Sequence, residues 1–395
     1  MDSRGGGRST RLGIPDLLCM VSGAARRRIP WPMALLGGIL VLAPQATEAC
    51  PLVIRAGAKQ SLQATMGGYC RINGGHSPGS PPGAPASEVR RRAFISNSDG
   101  DSTSIIDRDS YKVLKTLRVG DYPHHMIVSL DGRYLYAGNT HSDTVSVIDL
   151  VTESIVKTLP LLDPYNLYYS PDRKLLVTTC TRLGRVEVHG VDEWSQIGAA
   201  NGWKRLAQIP TGKDPNHFAF SPDGRFMYVS NEYSHNLSVI DLQGRRLAKQ
   251  VSTGKRPVDV SLAPGGKILF VANYGEGRVT AYETEGFREV ERIQTAAGAH
   301  GMAMTVDGKT LFVSNRDASS VSAIDVASRK VTQSFHVPQG PDMMEVTPDG
   351  KELWVTGRYG ANVYVVELAT GKVSRRIQTG AAPHGVTIID LATPK

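Results

Sequence analysis

PDGRFMYVSNEYSHNLSVIDL, residues 222–242, contains a turn, two short strands and the loop between them. The PDG triplet is typical of a tight turn. The apolar alternation in FMYVS and again in LSVID predicts strands, and the polar NEYSH segment predicts a loop. The same arrangement returns as SLDGRYLYAGNTHSDTVSVIDL from Ser129, TVDGKTLFVSNRDASSVSAIDV from Thr305 and TPDGKELWVTGRYGANVYVVEL from Thr347. A recurring unit of this kind determines the architecture of the chain.

Seven such units follow one another, with a period of about 42 residues. They begin near Ala93, Tyr134, Leu175, Phe226, Ile268, Thr310 and Glu352. Each unit carries four apolar stretches of strand length, and an Asp-Gly pair or a close variant forms the hairpin turn into the next unit. The sequence therefore predicts an all-β, seven-bladed β-propeller of four-stranded antiparallel blades over residues 93–395.

The repeat resembles the YVTN family of β-propeller repeats. YVSN at 228–231, FVAN at 270–273 and FVSN at 312–315 match the first family motif, and VSVID at 145–149 and LSVID at 237–241 match the second. The resemblance implies that the strand after each Pro-containing loop is the innermost strand of a blade. It also implies that the C-terminal strand completes the first blade and closes the ring, which removes the free sheet edges.

Charge is concentrated before the repeats. The chain has a formal net charge of +8. Residues 1–49 contain six Arg against three acids, and residues 50–92 contain six basic residues against Glu88. The remaining 33 basic and 33 acidic residues balance within 93–395. A neutral repeat region gives no electrostatic reason to expect a nucleic-acid partner.

The first 49 residues are typical of an export signal. The triplet from Arg26 to Arg28 forms a charged segment, MALLGGILVLA at 33–43 an apolar one, and TEA at 47–49 a small-residue cleavage context. Residues before Met20 fit no part of this pattern, so Met20 is the expected true start. We predict a periplasmic or secreted protein.

The segment 50–92 is expected to be flexible because residues 74–88 are rich in Pro, Gly and Ser. Cys50 follows the cleavage context directly, so lipidation of Cys50 and a Cys50–Cys70 disulfide are both open. Lipidation would be the only expected membrane attachment. Cys180 lies in an apolar strand and is expected to be a buried free thiol. The chain lacks a Cys-x-x-Cys-His motif, which excludes covalent c-type haem.

Histidines gather in the loops that enter the innermost strands. They are His124, His125, His217, His300 and His384, half of the ten histidines. Ring closure brings these loops to one channel mouth, and histidine is the commonest metal ligand. We predict that these five residues bind a metal ion or a haem-like cofactor, with His124, His217, His300 and His384 as metal ligands. The propeller domains of nitrous oxide reductase and haem-d-type nitrite reductase, which this repeat resembles, hold cofactors in such a place. The alternative is that these histidines cap strand ends around a wet channel.

The loops between second and third strands open on the same face. Glu232, Tyr233 and His235 depart from the repeat there. Three arginines of the same loops could bind a carboxylate or phosphate through paired hydrogen bonds, although exposed loop arginines are often simply solvated. The predicted ligand-binding residues are Glu232, Tyr233, His235, Arg182, Arg316 and Arg358. The opposite face offers mainly Asp-Gly turns, and the repeated Ser residues of the SN and SPDG motifs are expected to form turns.

Two classes of function are compatible with this pattern. The first is a monomeric binding module for a small ligand, a metal or cofactor, or a partner protein. The rival is a propeller enzyme, either a lactonase-like hydrolase, a lyase or a metal-dependent redox protein. A Glu232–His217 pair would favour a hydrolase or lyase, whereas three or more histidines without nearby acids would favour metal or haem ligation. The absence of a G-x-S-x-G elbow and of a glycine-rich phosphate loop argues against nucleophilic catalysis and nucleotide binding.

Overall fold

Four-stranded antiparallel sheets repeat around a central channel. A computed structural model of the chain describes residues 89–191 and 203–392, and these residues form seven such sheets. The all-β, seven-bladed propeller predicted from the repeat is thereby confirmed. The predicted export signal, Cys50 and Cys70 lie outside the described residues. Within the described residues, no helix has the length and apolar character needed to cross a membrane.

The two inner strands of each blade line the channel and the surrounding core. The innermost strands are β4 (Pro123–Val128), β8 (Asn166–Tyr169), β12 (Pro215–Phe220), β16 (Pro257–Leu262), β20 (Ala299–Met304), β24 (Pro341–Val346) and β28 (Pro383–Ala392). The second strands are β1 (Val89–Asn97), β5 (Tyr134–Asn139), β9 (Leu175–Cys180), β13 (Phe226–Asn231), β17 (Ile268–Asn273), β21 (Thr310–Asn315) and β25 (Glu352–Gly357).

The two outer strands complete each blade. The third strands are β2 (Ser102–Asp107), β6 (Thr144–Asp149), β10 (Arg185–Gly190), β14 (Asn236–Asp241), β18 (Arg278–Glu283), β22 (Ser320–Asp325) and β26 (Asn362–Glu367). The fourth strands are β3 (Lys112–Arg118), β7 (Ser154–Pro160), β11 (Lys204–Pro210), β15 (Arg246–Ser252), β19 (Glu289–Gln294), β23 (Lys330–His336) and β27 (Lys372–Gln378). Short 3₁₀ helices cover Glu232–Ser234 and Tyr274–Glu276.

Burial falls steadily from the channel to the rim. Every residue of β12 is buried, whereas all but one residue of β3 are exposed. Side chains of neighbouring blades interdigitate; Tyr168 of β8, for example, packs edge-on against Phe218 of β12, with ring centroids 5.4 Å apart. The hydrophobic core is therefore a ring of layers between blades, because both faces of each sheet pack against a neighbour. Cys180 is buried and free, as predicted.

The Asp-Gly turns share one hydrogen-bond pattern. The Ser221 hydroxyl donates to Asp223 Oδ1 at 2.5 Å and accepts from the Phe226 amide at 2.8 Å, while Gly224 adopts a left-handed φ of 70°. Equivalent hydroxyl–carboxylate pairs begin at Ser129, Ser170, Thr305 and Thr347. The turn is therefore encoded locally, within six residues of sequence.

The C-terminal strand closes the ring as predicted. Strand β28 pairs antiparallel with β1, in a register that runs from Val89 opposite Ala392 to Asn97 opposite Pro383. Strand β1 begins at Val89, before the predicted domain start at Ala93, because the four preceding residues also pair with β28. Buried Arg108 donates to Asp390 at 2.5 Å and adds an ion pair to this junction.

Candidate functional site

A bulge near the start of the innermost strands turns two consecutive side chains toward the channel. In β4, Pro123 pairs with Asn139 and Met126 pairs with Ala137, so His124 and His125 together oppose one residue of β5. Register shifts at the same place occur in six of the described blades. Because a bulge redirects side chains, these six blades contribute residues to two layers of the channel, whereas β8 pairs with β9 without a register shift.

The two layers are defined by position after the Pro or its equivalent. The first layer consists of His124, Tyr165, Asn216, Val258, His300, Asp342 and His384, and the second layer consists of His125, Asn166, His217, Asp259, Gly301, Met343 and Gly385. All five predicted histidines belong to these layers. Each is at most 5% exposed, so they lie inside the channel rather than at the open mouth where they were predicted.

Imidazole rings from three blades contact one another. The ring centroids of His124 and His384 are 4.3 Å apart, and those of His125 are 4.8 Å from His217 and 4.9 Å from His384. The Tyr165 ring lies against this group, 4.4 Å from His124. Sequence positions up to 260 residues apart therefore form one buried aromatic and polar cluster, here called the histidine cluster (His124, His125, His217 and His384).

Burial keeps the histidine cluster uncharged. Desolvation lowers the pKa of His125 to about 3 and the pKa values of His124, His217 and His384 well below the usual value of histidine. The cluster is thus a set of neutral imidazoles, which is the form that binds metal ions.

The other half of the channel is a charged network centred on Asp342. His300 Nδ1 lies 2.9 Å from Asp342 Oδ1, and Arg316 donates to both this carboxylate and His300 Nε2. Burial alone would raise the pKa of Asp342, but Arg316 and the neighbouring imidazoles outweigh it and hold that pKa well below its ordinary value. Arg358 Nε is 3.9 Å from the same carboxylate. His300 is therefore bonded to Arg316 at Nε2 and lies against a carboxylate at Nδ1, which separates it from the histidine cluster.

Several polar atoms of the channel lack a hydrogen-bond partner. Among the residues described, these include both ring nitrogens of His124, Nδ1 of His384, Oδ1 of Asn166 and Oδ1 of Asp259. A buried polar group left without a partner costs about 1–3 kcal/mol. Native proteins accept such costs mainly where a water, an ion or a functional requirement explains them.

The imidazoles are close together but not yet arranged around one point. No three His, Cys, Asp or Glu side chains within residues 89–191 and 203–392 stand as a ready metal-binding group. The geometry explains this, because the His124 and His384 rings are tilted by 34° to each other and His125 meets His217 edge-on at 87°. Histidine χ2 is a soft torsion, so ring rotation within the cluster could turn several nitrogens toward a common ion.

Two glycines make the tight channel possible. A Cβ on Gly385 would lie 2.2 Å from the His124 carbonyl oxygen, and one on Gly301 would lie 2.4 Å from the Asp342 carbonyl oxygen. Any side chain at either place would push neighbouring innermost strands apart. At 300–301 and at 384–385, the His thus places an imidazole in the first layer. The Gly that follows it leaves the second layer without a side chain at that position.

The predicted ligand-binding residues from the NEYSH loop form a separate group at the mouth. Glu232 accepts from Arg256, and Glu232 Oε2 accepts from Asn216 Nδ2 at 3.1 Å. His217, which would favour a hydrolase or lyase if paired with Glu232, has its Nδ1 3.1 Å from the amide nitrogen of Asn166. His235 adopts a left-handed φ of 55°, and its Nδ1 accepts from the Arg256 amide.

The remaining predicted residues divide between mouth and channel. Tyr233 is 57% exposed at the mouth. Arg182 bridges Asp143 and Asp163 in neighbouring blades and does not join the channel network. Arg316 and Arg358 both approach Asp342, so two of the three predicted arginines converge.

Sequence reasoning missed Tyr165 and Met343 as channel residues and left Asp342 without a role. All three stand one or two places after the Pro of their loops, the same places as the histidines. The signal was present in this alignment of loops. Asn166, Asp259 and Asp342 were recognised at equivalent places, but only the histidines were assigned a role.

Seven blades around a buried histidine cluster define a β-propeller with a polar centre. The chain belongs to the YNCE-like beta-propeller family, whose model matches residues 81–394.

Named relatives are similar over part of their length. Hydrazine synthase subunit beta of Kuenenia stuttgartiensis is 26% identical over 125 residues, which cover 26% of this chain and 32% of that protein. Dihydro-heme d1 dehydrogenase of Pseudomonas aeruginosa is 29% identical over 170 residues, which cover 40% of this chain and 32% of that protein. The match therefore spans about a third of the length of these relatives.

Solved structures agree in fold. The periplasmic gluconolactonase PpgL of Pseudomonas aeruginosa superposes with a TM-score of 0.63 at 18% identity, covering 78% of this chain and all of that one. At this level of identity the likeness shows the propeller fold alone. The proteins that this chain resembles thus include named enzymes of different chemistry, and function has to be argued from the site.

Proposed function

We propose that this protein is an exported binding module whose histidine cluster holds one transition-metal ion of the zinc or copper class. The observation that carries the proposal is His124, a buried imidazole with both ring nitrogens unpartnered, packed among three further buried imidazoles. Neutral imidazole is a good ligand for zinc and copper and a poor one for magnesium or calcium. Ligation would satisfy the nitrogen atoms that now carry a desolvation cost.

A metal ion suits the site better than a haem-like group. Ring centroids in the cluster are separated by 4.3–6.5 Å, so these imidazoles are in mutual contact. Inserting a planar macrocycle would require separating them, and with them the innermost strands that Gly385 holds close. A single ion needs only ring rotation.

Export rests on the sequence and one comparison. Residues 26–49 have the charged, apolar and small-residue order of a signal sequence, and the structurally similar PpgL is described as periplasmic. Free metal ions are accessible in such a compartment, where a buried imidazole site could load without competition from cytosolic thiols.

The enzyme alternative is supported by one observation, the His300–Asp342 pair. A carboxylate that orients a histidine is the common arrangement of a general base. In this channel, however, the second nitrogen of His300 accepts from Arg316 at 2.6 Å. That nitrogen is not available to remove a proton, so the binding role is favoured.

Metal loading of the full chain tests the proposal. We expect about one equivalent of Zn(II) or Co(II) after dialysis, with Co(II) absorbing strongly in the visible as it does with imidazole ligands in a tetrahedral site. The His124→Ala/His384→Ala variant should lose this ion. His336→Ala is the matched control, because His336 lies exposed on outer strand β23.

Two results would overturn the proposal. One is a wild type that binds no more ion than the His124→Ala/His384→Ala protein does. The other is a double variant that keeps its circular dichroism spectrum and still binds the ion with unchanged affinity.

A further inference from the structure

Met343 provides a sulfur donor in the second layer of the channel. It occupies the position that His125 and His217 hold in their blades. It is 2% exposed, and yet it belongs to none of the apolar clusters that form the cores between blades. Its burial is therefore not accounted for by packing in an interblade core.

Met343 borders the same pocket as His125 of the histidine cluster. Its blade neighbours in the second layer are Gly301 and Gly385, which have no side chains, and Sδ lies 3.2 Å from where a Gly301 Cβ would stand. A pocket in the channel is lined by both His125 and Met343. Met343 and His125 thus border the same small space.

We propose that this second layer binds Cu(I), with Met343 Sδ and the imidazoles of His125 and His217 as ligands. This inference rests on the metal-binding function proposed above and adds a Cu(I) position, which combines Met343 with the two second-layer members of the histidine cluster. Thioether sulfur is a soft, uncharged donor that favours Cu(I) and contributes little to zinc binding. One thioether and two imidazoles give a three-coordinate set, which Cu(I) accepts.

The charge of the site also favours a monovalent ion. All three proposed ligands are uncharged, and moving a charge into a buried site costs more for a divalent than for a monovalent cation. Asp259 lies in the same layer and is fully buried. Desolvation raises its pKa well above the ordinary value, so its carboxyl group is protonated and uncharged. Balancing charge is available from ionised Asp342, which acts on both imidazoles, and Glu345 lines the same pocket.

The test compares Cu(I) with Co(II) in the full-length protein under anaerobic, reducing conditions. Cu(I) affinity is measured by competition with a chromophoric Cu(I) chelator, and Ag(I) serves as a redox-inert substitute. We expect Met343→Leu to weaken Cu(I) and Ag(I) binding by about tenfold to a hundredfold, the range for loss of a metal-site contact, and to leave Co(II) binding unchanged. Met227→Leu is the control, because Met227 is buried in a core between blades.

X-ray absorption of the Cu(I)-loaded wild type provides a measurement that does not depend on any variant folding. A sulfur scatterer in the first coordination shell is expected, and its absence would overturn the inference. Unchanged Cu(I) affinity in a folded Met343→Leu protein would do the same. If Co(II) still bound in a His124-dependent manner, the proposed function would survive that result. If neither ion bound, both proposals would fall.

Discussion

The two ends of this propeller use one repeat in opposite ways. At the Asp-Gly end, five turns repeat the same hydroxyl–carboxylate pair, and every polar group in the motif has a partner a few residues away. In the channel, equivalent positions carry His, Tyr, Asn, Val, Asp, Gly and Met. There, both nitrogens of buried His124 have no partner.

The same repeat therefore provides stabilising hydrogen bonds at the Asp-Gly turns and leaves polar groups without partners in the channel. The turn end is satisfied locally, so each copy stabilises its own hairpin by the usual amount for side chain–backbone hydrogen bonds, about 1 kcal/mol. The channel retains unsatisfied buried groups, which reduce stability by a similar amount each. Proteins tolerate such costs at functional sites, and this contrast can be tested directly.

Removing strand β28 should have the largest effect, because both ends depend on ring closure. Deleting residues 383–395 removes the partner of β1 and the Asp390 that pairs with buried Arg108. We expect loss of a single cooperative unfolding transition in thermal or urea melts followed by circular dichroism. A shorter deletion of 393–395 is the control and should melt as wild type. A 383–395 deletion with an unchanged midpoint would show that the ring does not need this closure.

A pair of substitutions tests the contrast itself in chelator-treated protein. Ser221→Ala removes the hydroxyl that donates to Asp223 and accepts from the Phe226 amide, and should lower the free energy of unfolding by about 1 kcal/mol. His124→Leu replaces a buried, unpartnered imidazole by an apolar side chain of similar size. It should leave stability unchanged or raise it by about 1 kcal/mol.

Urea unfolding of the two variants beside wild type provides the measurement. If His124→Leu destabilised the protein as much as Ser221→Ala, His124 would be a structural residue, and the contrast between the two ends would be wrong. Opposite signs for the two substitutions would support a channel kept for binding.

The fold could be predicted because its information is local and repeated. The turn at 221–226 and the strands that flank it depend on neighbours within a few residues, and seven copies confirm one another. Even closure by β28 followed from the family resemblance. The start of β1 was misplaced because Val89–Arg92 pair only with the distant end of the chain, and nothing local marks them as a strand.

The candidate site was predicted in composition but not in arrangement. The histidines were found from their places in the loops, but their depth depends on bulges and on close approaches at Gly301 and Gly385. The serine of the YVSN motif shows the same limit. It was expected to form a turn, whereas the Ser230 hydroxyl donates at 2.6 Å to the Val258 carbonyl of the next blade. Contacts between blades have no signature in a single repeat.

The loop that enters β12 also contains a partly buried polar group that reduces stability. This group is Asp214, three residues before His217. Burial, together with the nearby Glu232 and Asp163 carboxylates, raises the pKa of Asp214 to about 6. The folded protein therefore holds a proton that the unfolded chain, with a carboxyl pKa near 3.9, has already lost. This term makes stability fall as pH rises between about 4 and 6.

Asp214→Asn should remove that penalty and have the smallest effect of the series. The position has a left-handed φ of 57°, which Asn adopts readily. A shift of about two pKa units corresponds to at most about 3 kcal/mol, and partial exposure of the carboxyl reduces the expected gain to about 1 kcal/mol.

The gain in stability should be present at about pH 7.5 and should largely disappear at about pH 4 in urea unfolding, because near and below the unfolded pKa both states become protonated. Exposed Asp121 of the corresponding loop in the second blade is the control, and Asp121→Asn should change stability equally at both pH values. An Asp214→Asn protein no more stable than wild type at pH 7.5 would mean that Asp214 carries no such cost, and that the departure from the repeat is confined to the channel itself.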